Sequence, residues 1–237
     1  PQKTEDAAKE IATLRPGAKV IGIGNVDVRK IQTIKEAADR TVKELGRIDH
    51  VIAGAAGNFL SDFNHLSSNA FKSVIDIDLL GSFNTVKVCF EELRKNKGSV
   101  IFVSATLHYY GLPMQLHASA AKAGVDALSN ALAVELGPLG IRSNAIAPGP
   151  IDGTEGMLRL SRSSKDETIK NVPLQRMGTT QDIADGTVYL FSPAASYVTG
   201  DVLVVDGGSW QVSSGVGAKD YPVTLLNAIN APKGGKL

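Results

Sequence analysis

Ser99-Val100-Ile101-Phe102-Val103, then Ser119 to Leu136, then Ile141 to Ala147 with Pro148-Gly149-Pro150 behind it: this stretch decides the fold. The first run is short, rich in β-branched and aromatic residues, and shows no polar alternation. It reads as a strand covered on both faces. Ser119 to Leu136 is long, Ala-rich and stopped by Gly137-Pro138, as a helix is. A second apolar run then ends at Pro-Gly-Pro. Strand, helix, strand in that order predicts a crossover between parallel strands.

The same alternation extends in both directions. Upstream, Thr4 to Leu14 reads as helix, Lys19 to Ile23 as a short strand, and Lys30 to Leu45 as helix. His50 to Ala53 is a compact strand punctuated by Gly54 and Gly57, and Asn69 to Asn96 is a long helical stretch with a break near Gly81. Downstream, Gln181 to Phe191 is helical and Asp201 to Val205 is the last strand. The pattern predicts an α/β fold: a single doubly wound parallel-sheet (Rossmann-like) domain in three layers, spanning residues 1–237. Residues 213–237 form a Gly-, Ala- and Pro-rich tail, read as an oligomer contact or a loose terminus.

Composition narrows the function. Of 237 residues, 43% are hydrophobic and 21% charged, enough for one core, and the net charge of +1 gives no reason to expect a nucleic-acid partner. Cys89 is the only cysteine, so no internal disulfide can form and a reducing compartment is favoured. No apolar run reaches the roughly 18 residues of a membrane-spanning helix. No metal is expected. The chain starts Pro1-Gln2-Lys3 without an initiator Met or a signal-peptide pattern, and so reads as truncated or processed.

Open parallel sheets bind ligands beyond the carboxyl ends of their strands. Here those ends fall near Asp27, Gly54 to Asn58, Ser104 to Leu107 and Pro148 to Thr154, which should line one crevice. Four ordered pieces at these places resemble the short-chain dehydrogenase/reductase family: Asn25-Val26-Asp27-Val28, Gly54-Ala55-Ala56-Gly57, Pro148-Gly149-Pro150-Ile151 and Val205-Asp206-Gly207-Gly208. Each is weak alone; the ordered set is specific. The family opens with a strand, a Gly-rich turn, a helix and a second strand. That first β-α-β unit is missing here, and Gly22-Ile23-Gly24 does not replace it, because it leads into Asn25-Val26-Asp27 rather than a helix.

The family works with Asn, Ser, Tyr and Lys. Lys122 stands where the Lys belongs, in Ser119-Ala120-Ala121-Lys122-Ala123-Gly124. Four residues earlier Ala118 replaces the Tyr, Ala105 replaces the Ser, and Asp78 replaces the Asn. The peroxisomal 2,4-dienoyl-CoA reductases of the family share these departures, and this chain is similar to them, in their fungal form, over nearly its whole length. The stretches Ala55 to Phe59, Gly153 to Gly156, Pro173 to Arg176 and Ala195 to Gly200 carry that likeness.

The resemblance implies NADPH-dependent reduction of 2,4-dienoyl-CoA to 3-enoyl-CoA, with NADP(H) as cofactor and an acyl-CoA thioester as substrate. It makes Asp78 and Lys122 catalytic. Lys122 would hold the nicotinamide ribose, and Asp78 would donate a proton or bind the water that does; a buried carboxyl can carry a proton near neutrality. Asp27 and Val28 would meet the adenine. Pro148, Gly149, Pro150, Ile151, Asp152, Gly153 and Thr154 would wrap the nicotinamide amide. Arg29 and Arg159 would meet CoA phosphates, Phe59 would flank the acyl or pantetheine arm, and Ser67, Ser68 and Asn69 would join them. Met157 to Lys170, with Arg159, Arg162 and Lys165, would form a lid.

Each residue also has a plainer reading: Lys122 as a surface lysine, Asp78 as a helix-capping or salt-bridged carboxylate, Asp27 as a strand terminator, Pro148 to Thr154 as a turn. Tyr109, Tyr110, His108 and His117 are candidate substitute acids, which would make the protein a carbonyl or alcohol oxidoreductase. Loss of the Tyr also allows a non-catalytic dinucleotide- or CoA-binding protein. The ending Gly235-Lys236-Leu237 resembles a Ser-Lys-Leu peroxisomal address, with the cytoplasm as the alternative. The family implies a homodimer or homotetramer.

Overall fold

A computed structural model describes residues 2–161, 163–212 and 223–232. Its centre is a four-stranded sheet of β1 (His50–Ala53), β2 (Ser99–Val103), β3 (Arg142–Pro148) and β4 (Val202–Val205), ordered β1-β2-β3-β4. Every pair is parallel; Val51 faces Val100, Phe102 faces Ala145 and Pro148 faces Val205. The expected short apolar strands therefore form, and β2 is buried along nearly its whole length.

Side chains alternate across a strand, so β2 serves two cores. Val100 and Phe102 pack with Val86, Cys89 and Leu93 of α4 (Gly81–Asn96) and Val125 and Leu136 of α6 (Leu116–Leu136). Ile101 and Val103 pack on the other face with Ile183, Leu190 and Phe191 of α9 (Thr180–Phe191). The sheet thus has helices on both faces, as the sequence pattern predicts. The remaining helices are α1 (Gln2–Thr13), α2 (Ile31–Leu45), α3 (Ser68–Ile75), α5 (Leu107–Tyr110), α7 (Glu155–Leu160), α8 (Lys165–Lys170), α10 (Ser209–Val212) and α11 (Val223–Asn230). The expected break near Gly81 is a single π-helical turn over Asp76–Leu80, between α3 and α4. Such turns shift the helical register and often sit at functional sites.

One expectation is corrected. Residues 18–27 form no regular element and join no sheet, so Lys19 to Ile23 is not a strand. An apolar run shows that a segment wants cover, whereas a strand also needs a hydrogen-bonding neighbour. Among the described residues β1 pairs only with β2, and Ile52 on that edge is 53% exposed. The segment is held from its sides: a Cβ on Gly22 would lie 2.6 Å from the Thr4 carbonyl oxygen, and Asn84 Nδ2 donates to the Val28 carbonyl at 3.0 Å. Its end is fixed by the Thr33 hydroxyl, which donates to the Asp27 carbonyl at 2.8 Å.

Candidate active site

The π-helical turn puts Asp78 beside α6. Asp78 is 1% exposed and Lys122 8% exposed. The Gly57 N–H donates to Asp78 Oδ1 at 2.6 Å, and the Lys122 ammonium faces Oδ2 at 3.1 Å. That approach is an ion pair off the hydrogen-bonding direction, since Oδ2 has no directed partner. The directed hydrogen bond of Lys122 goes to the Val103 carbonyl at the end of β2, at 2.9 Å. Lys122 is therefore no surface lysine. Two residues expected to do the chemistry, 44 positions apart, meet as a buried charge pair whose desolvation is tolerable only with such partners. Small residues allow the approach: a Cβ on Gly124 would meet Leu79 at 2.7 Å, and one on Gly81 would meet Val28 at 2.5 Å. Ala118 is buried next to this pair's helix face, where a phenol would otherwise project.

Beyond the ends of residues 18–27 and of β1 lies a crevice of about 580 Å³, lined by Asn25, Val26, Asp27, Val28, Arg29, Ala55, Ala56 and Ile77. Asp27 does not face it freely. Both its oxygens take hydrogen bonds from the Arg29 guanidinium, at 2.9 and 2.8 Å, which hold its pKa down at about 2. The expected adenine contact and the expected CoA-phosphate contact are thus joined to each other. The residues fit the flat ring of a dinucleotide: the wall includes Ala55 and Ala56, small enough to leave it room, and Ile77, next to Asp78 in the chain, joins the crevice to the buried pair.

Pro148 to Thr154 forms the expected turn after β3. Gly149 is required there, because a Cβ would lie 2.5 Å from the Asp206 Cβ. The Gly149 N–H donates to the Val205 carbonyl at 3.0 Å. Asp152 pairs with Lys165, which lowers its pKa, and its backbone N–H donates to the Gly178 carbonyl at 2.9 Å. The Thr154 hydroxyl donates to the Ile151 carbonyl at 2.8 Å and caps α7. In the closing motif, Asp206 accepts from the Gly208 and Trp210 N–H groups at 2.8 and 2.7 Å.

The substrate candidates are more scattered. Ser67 caps α3 through its hydroxyl, and Ser68 and Asn69 begin that helix, all three exposed. Arg159 is exposed on α7 and pairs with Glu155 at 3.2 Å. Phe59 packs on His117 at a tilt of 31°, with ring centroids 4.4 Å apart. Arg162 and Gly235-Lys236-Leu237 lie outside the described residues.

Tyr109 and Tyr110 sit on α5. Tyr109 packs edge-on against Trp210 and His108. Burial raises the pKa of both phenols, Tyr110 more deeply covered than Tyr109. That is the wrong direction for an acid that must ionise near neutrality. His108 is tied to Asp126 at 2.7 Å. Sequence reasoning missed the Val103 carbonyl, the Gly57 N–H and a hydrogen bond from Asn58 to Gln115 at 2.7 Å, none of which has a local signal. Among the described residues no His, Cys, Asp and Glu cluster could hold a metal ion, and no helix is long and apolar enough to cross a membrane.

Comparison with known proteins agrees with this geometry. A family model described as enoyl-(acyl carrier protein) reductase matches residues 1–209. The chain is 59% identical over 232 residues to the (3E)-enoyl-CoA-producing peroxisomal 2,4-dienoyl-CoA reductase of Saccharomyces cerevisiae, covering 97% of this chain and 80% of the relative. It is 47% identical over 216 residues to the Danio rerio protein of the same description, covering 90% and 71%. A crystal structure of a short chain dehydrogenase from Bacillus anthracis superposes with a TM-score of 0.76 at 38% identity, covering 88% of this chain and 82% of the other.

Proposed function

This chain belongs to the short-chain dehydrogenase/reductase family, and on that premise we propose that it reduces 2,4-dienoyl-CoA to 3-enoyl-CoA with NADPH. The observation that carries the reading is the buried Asp78–Lys122 pair beside Ala118. Carbonyl reduction builds an alkoxide that must be protonated on oxygen, and a phenol does that in this family. Reduction of a conjugated thioester builds an enolate-like charge instead, and the proton ends on carbon. A cation near the thioester oxygen and an acidic group near the chain are then sufficient.

NADPH supplies the hydride when bound. The protein's residues do the rest. Lys122 has the position to bind the ribose hydroxyls and to favour the developing anion. Asp78 pairs with Lys122 and holds it in place, and its Oδ2 retains acceptor capacity for a water. Pro148 to Thr154 offers a pinned backbone for the carboxamide, and Asp27 and Val28 a wall for the adenine. Arg29, Phe59, Ser67, Ser68, Asn69 and Arg159 are the CoA-side residues. For Arg29 this requires its guanidinium to share or leave Asp27, a rearrangement that binding of a phosphate would reward.

The two relatives bear peroxisomal names, and we place this protein in the same compartment. Homo-oligomerisation is part of the proposal, supported by apolar residues on the outer faces of α4 and α6, Phe83 at 43% and Val134 at 80% exposure. The test is to incubate the purified protein with NADPH and either a 2,4-dienoyl-CoA or a 3-oxoacyl-CoA. Loss of reduced nicotinamide absorbance with the dienoyl thioester alone supports the proposal. Turnover of the 3-oxoacyl thioester alone refutes it and restores the carbonyl reading. Binding of both ligands without turnover restores the non-catalytic one.

A further inference from the structure

Among the described residues His117 is the largest polar side chain with no exposure at all, and apart from a poorly directed contact with the Phe59 backbone its ring nitrogens have no protein partner. An imidazole buried with so little hydrogen bonding is less stable than a phenyl ring in the same space, so Phe would be the stabler residue if packing were the only demand. Its neighbours are polar and equally underused. Asn58 Oδ1 and Asp78 Oδ2 are buried with no directed partner. The Asp78 charge and the Phe59 backbone both act to raise the His117 pKa, though burial outweighs them and lowers it. The imidazole is therefore neutral at physiological pH, with one nitrogen to donate and one to accept.

The surroundings are built to hold this arrangement. Phe59 packs against the ring at a tilt. Asn58 Nδ2 is tied to Gln115 Oε1 at 2.7 Å, which orients its free Oδ1. Gln115 is itself set by Met114, a buried residue at φ 66°, a conformation that bulky side chains seldom adopt. The Ser61 N–H fixes Met114 by donating to its carbonyl at 2.9 Å. Strain held by a cross-link from another loop is the mark of a site that needs its geometry.

We propose that His117 is a positioning residue: with Asn58 it holds a water against Asp78 and thereby directs the proton to Cα of the reduced acyl chain. The inference rests on the reductase reading above. After two electrons and one hydrogen have entered at Cδ, the charge is spread over Cα, Cγ and the thioester oxygen. A proton at Cα leaves a Cβ=Cγ double bond, the 3-enoyl product; a proton at Cγ leaves Cα=Cβ, the 2-enoyl product. The water gives one proton to Cα. The Lys122 ammonium, through the Asp78 carboxylate that it faces, returns one proton to the hydroxide left behind, and solvent recharges the lysine after the product departs.

Two variants test this. His117→Phe keeps the packing on Phe59 and removes both nitrogens; His117→Gln restores one donor and one acceptor. We expect His117→Phe to melt no lower than the unchanged protein, to keep KM, to lose about 10–100-fold in kcat, and to release a mixture of 3-enoyl and 2-enoyl thioesters. His117→Gln should recover most of the rate and the single product. A readout without turnover is the ring-carbon NMR signal of labelled His117 in the coenzyme-free protein, which should shift in Asp78→Asn. A His117→Phe protein with unchanged kcat and pure 3-enoyl product overturns the proposal alone. If that variant fails to fold, wild-type rate lost and not regained in a folded His117→Gln overturns it equally. Should the unchanged protein leave dienoyl-CoA untouched, the reductase reading falls first and this inference with it.

Discussion

Replacing Asp78 by Asn separates charge from shape at the centre of the site. The amide oxygen can still accept from the Gly57 N–H, now 2.6 Å from Oδ1, and the side-chain volume is unchanged. What disappears is the counter-charge 3.1 Å from the Lys122 ammonium, which is buried to within 8% of full cover. Removing one partner of a buried ion pair costs about 3–5 kcal/mol. Lys122 keeps its hydrogen bond to the Val103 carbonyl, so the lower end applies, about 3 kcal/mol. For a chain of 237 residues that lowers Tm by about 6–12 °C. Lys122→Met should destabilise by a similar amount, since it strands the carboxylate. The double variant Asp78→Asn, Lys122→Met should then lose far less than the sum, with a coupling of about 2 kcal/mol or more. Thermal or urea unfolding of the four proteins measures it. Additivity within about 0.5 kcal/mol would show that the two groups do not interact energetically, and the reasoning from the buried pair would fail.

Other consequences are simpler to read. Gly149→Ala should destabilise by about 1–3 kcal/mol and weaken coenzyme binding, because its Cβ would press on Asp206 at 2.5 Å and move the turn; calorimetric titration with NADP checks the second part. Cys89 is buried and its thiol pKa is pushed up to about 11, against an ordinary 9.0. At pH 8 its thiolate fraction is about a hundred times smaller than an ordinary thiol's, so labelling by a maleimide should be negligible until urea unfolds the protein. Tyr109→Phe and Tyr110→Phe should each keep dienoyl-CoA turnover within a few-fold, measured by NADPH consumption. Arg159→Ala should leave Tm nearly unchanged, since an exposed i,i+4 pair contributes about 0.3–0.5 kcal/mol, while raising KM for the CoA substrate.

The sequence made the scaffold legible where burial alone decides structure. His50 to Ala53 and Ser99 to Val103 are apolar on both faces and bounded by turn residues, and both strands form at those residues. Lys19 to Ile23 has the same apolar character but no ladder, because pairing is a tertiary property that hydrophobicity does not encode. The helical break near Gly81 was readable; that it takes the form of a π turn carrying Asp78 inward was not. Within the site, Asp78 and Lys122 stood out through their place in motifs. The groups that hold them, the Val103 carbonyl and the Gly57 N–H, are backbone atoms with no residue-type signature. The Asn58–Gln115 bond spans 57 positions, so no periodicity points to it. Asp27 and Arg29 show the opposite case: two residues read separately, for adenine and for phosphate, lie two apart and satisfy each other.

The most direct measurement is a crystal structure of the protein with NADP and a dienoyl-CoA bound. The account predicts the acyl chain lying against α6 at Ala118, its Cα no farther than one bridging water from the carboxylate of Asp78, and Lys122 on the ribose. An acyl chain seated away from that carboxylate, or a phenol of Tyr109 or Tyr110 swung onto the thioester, would contradict it.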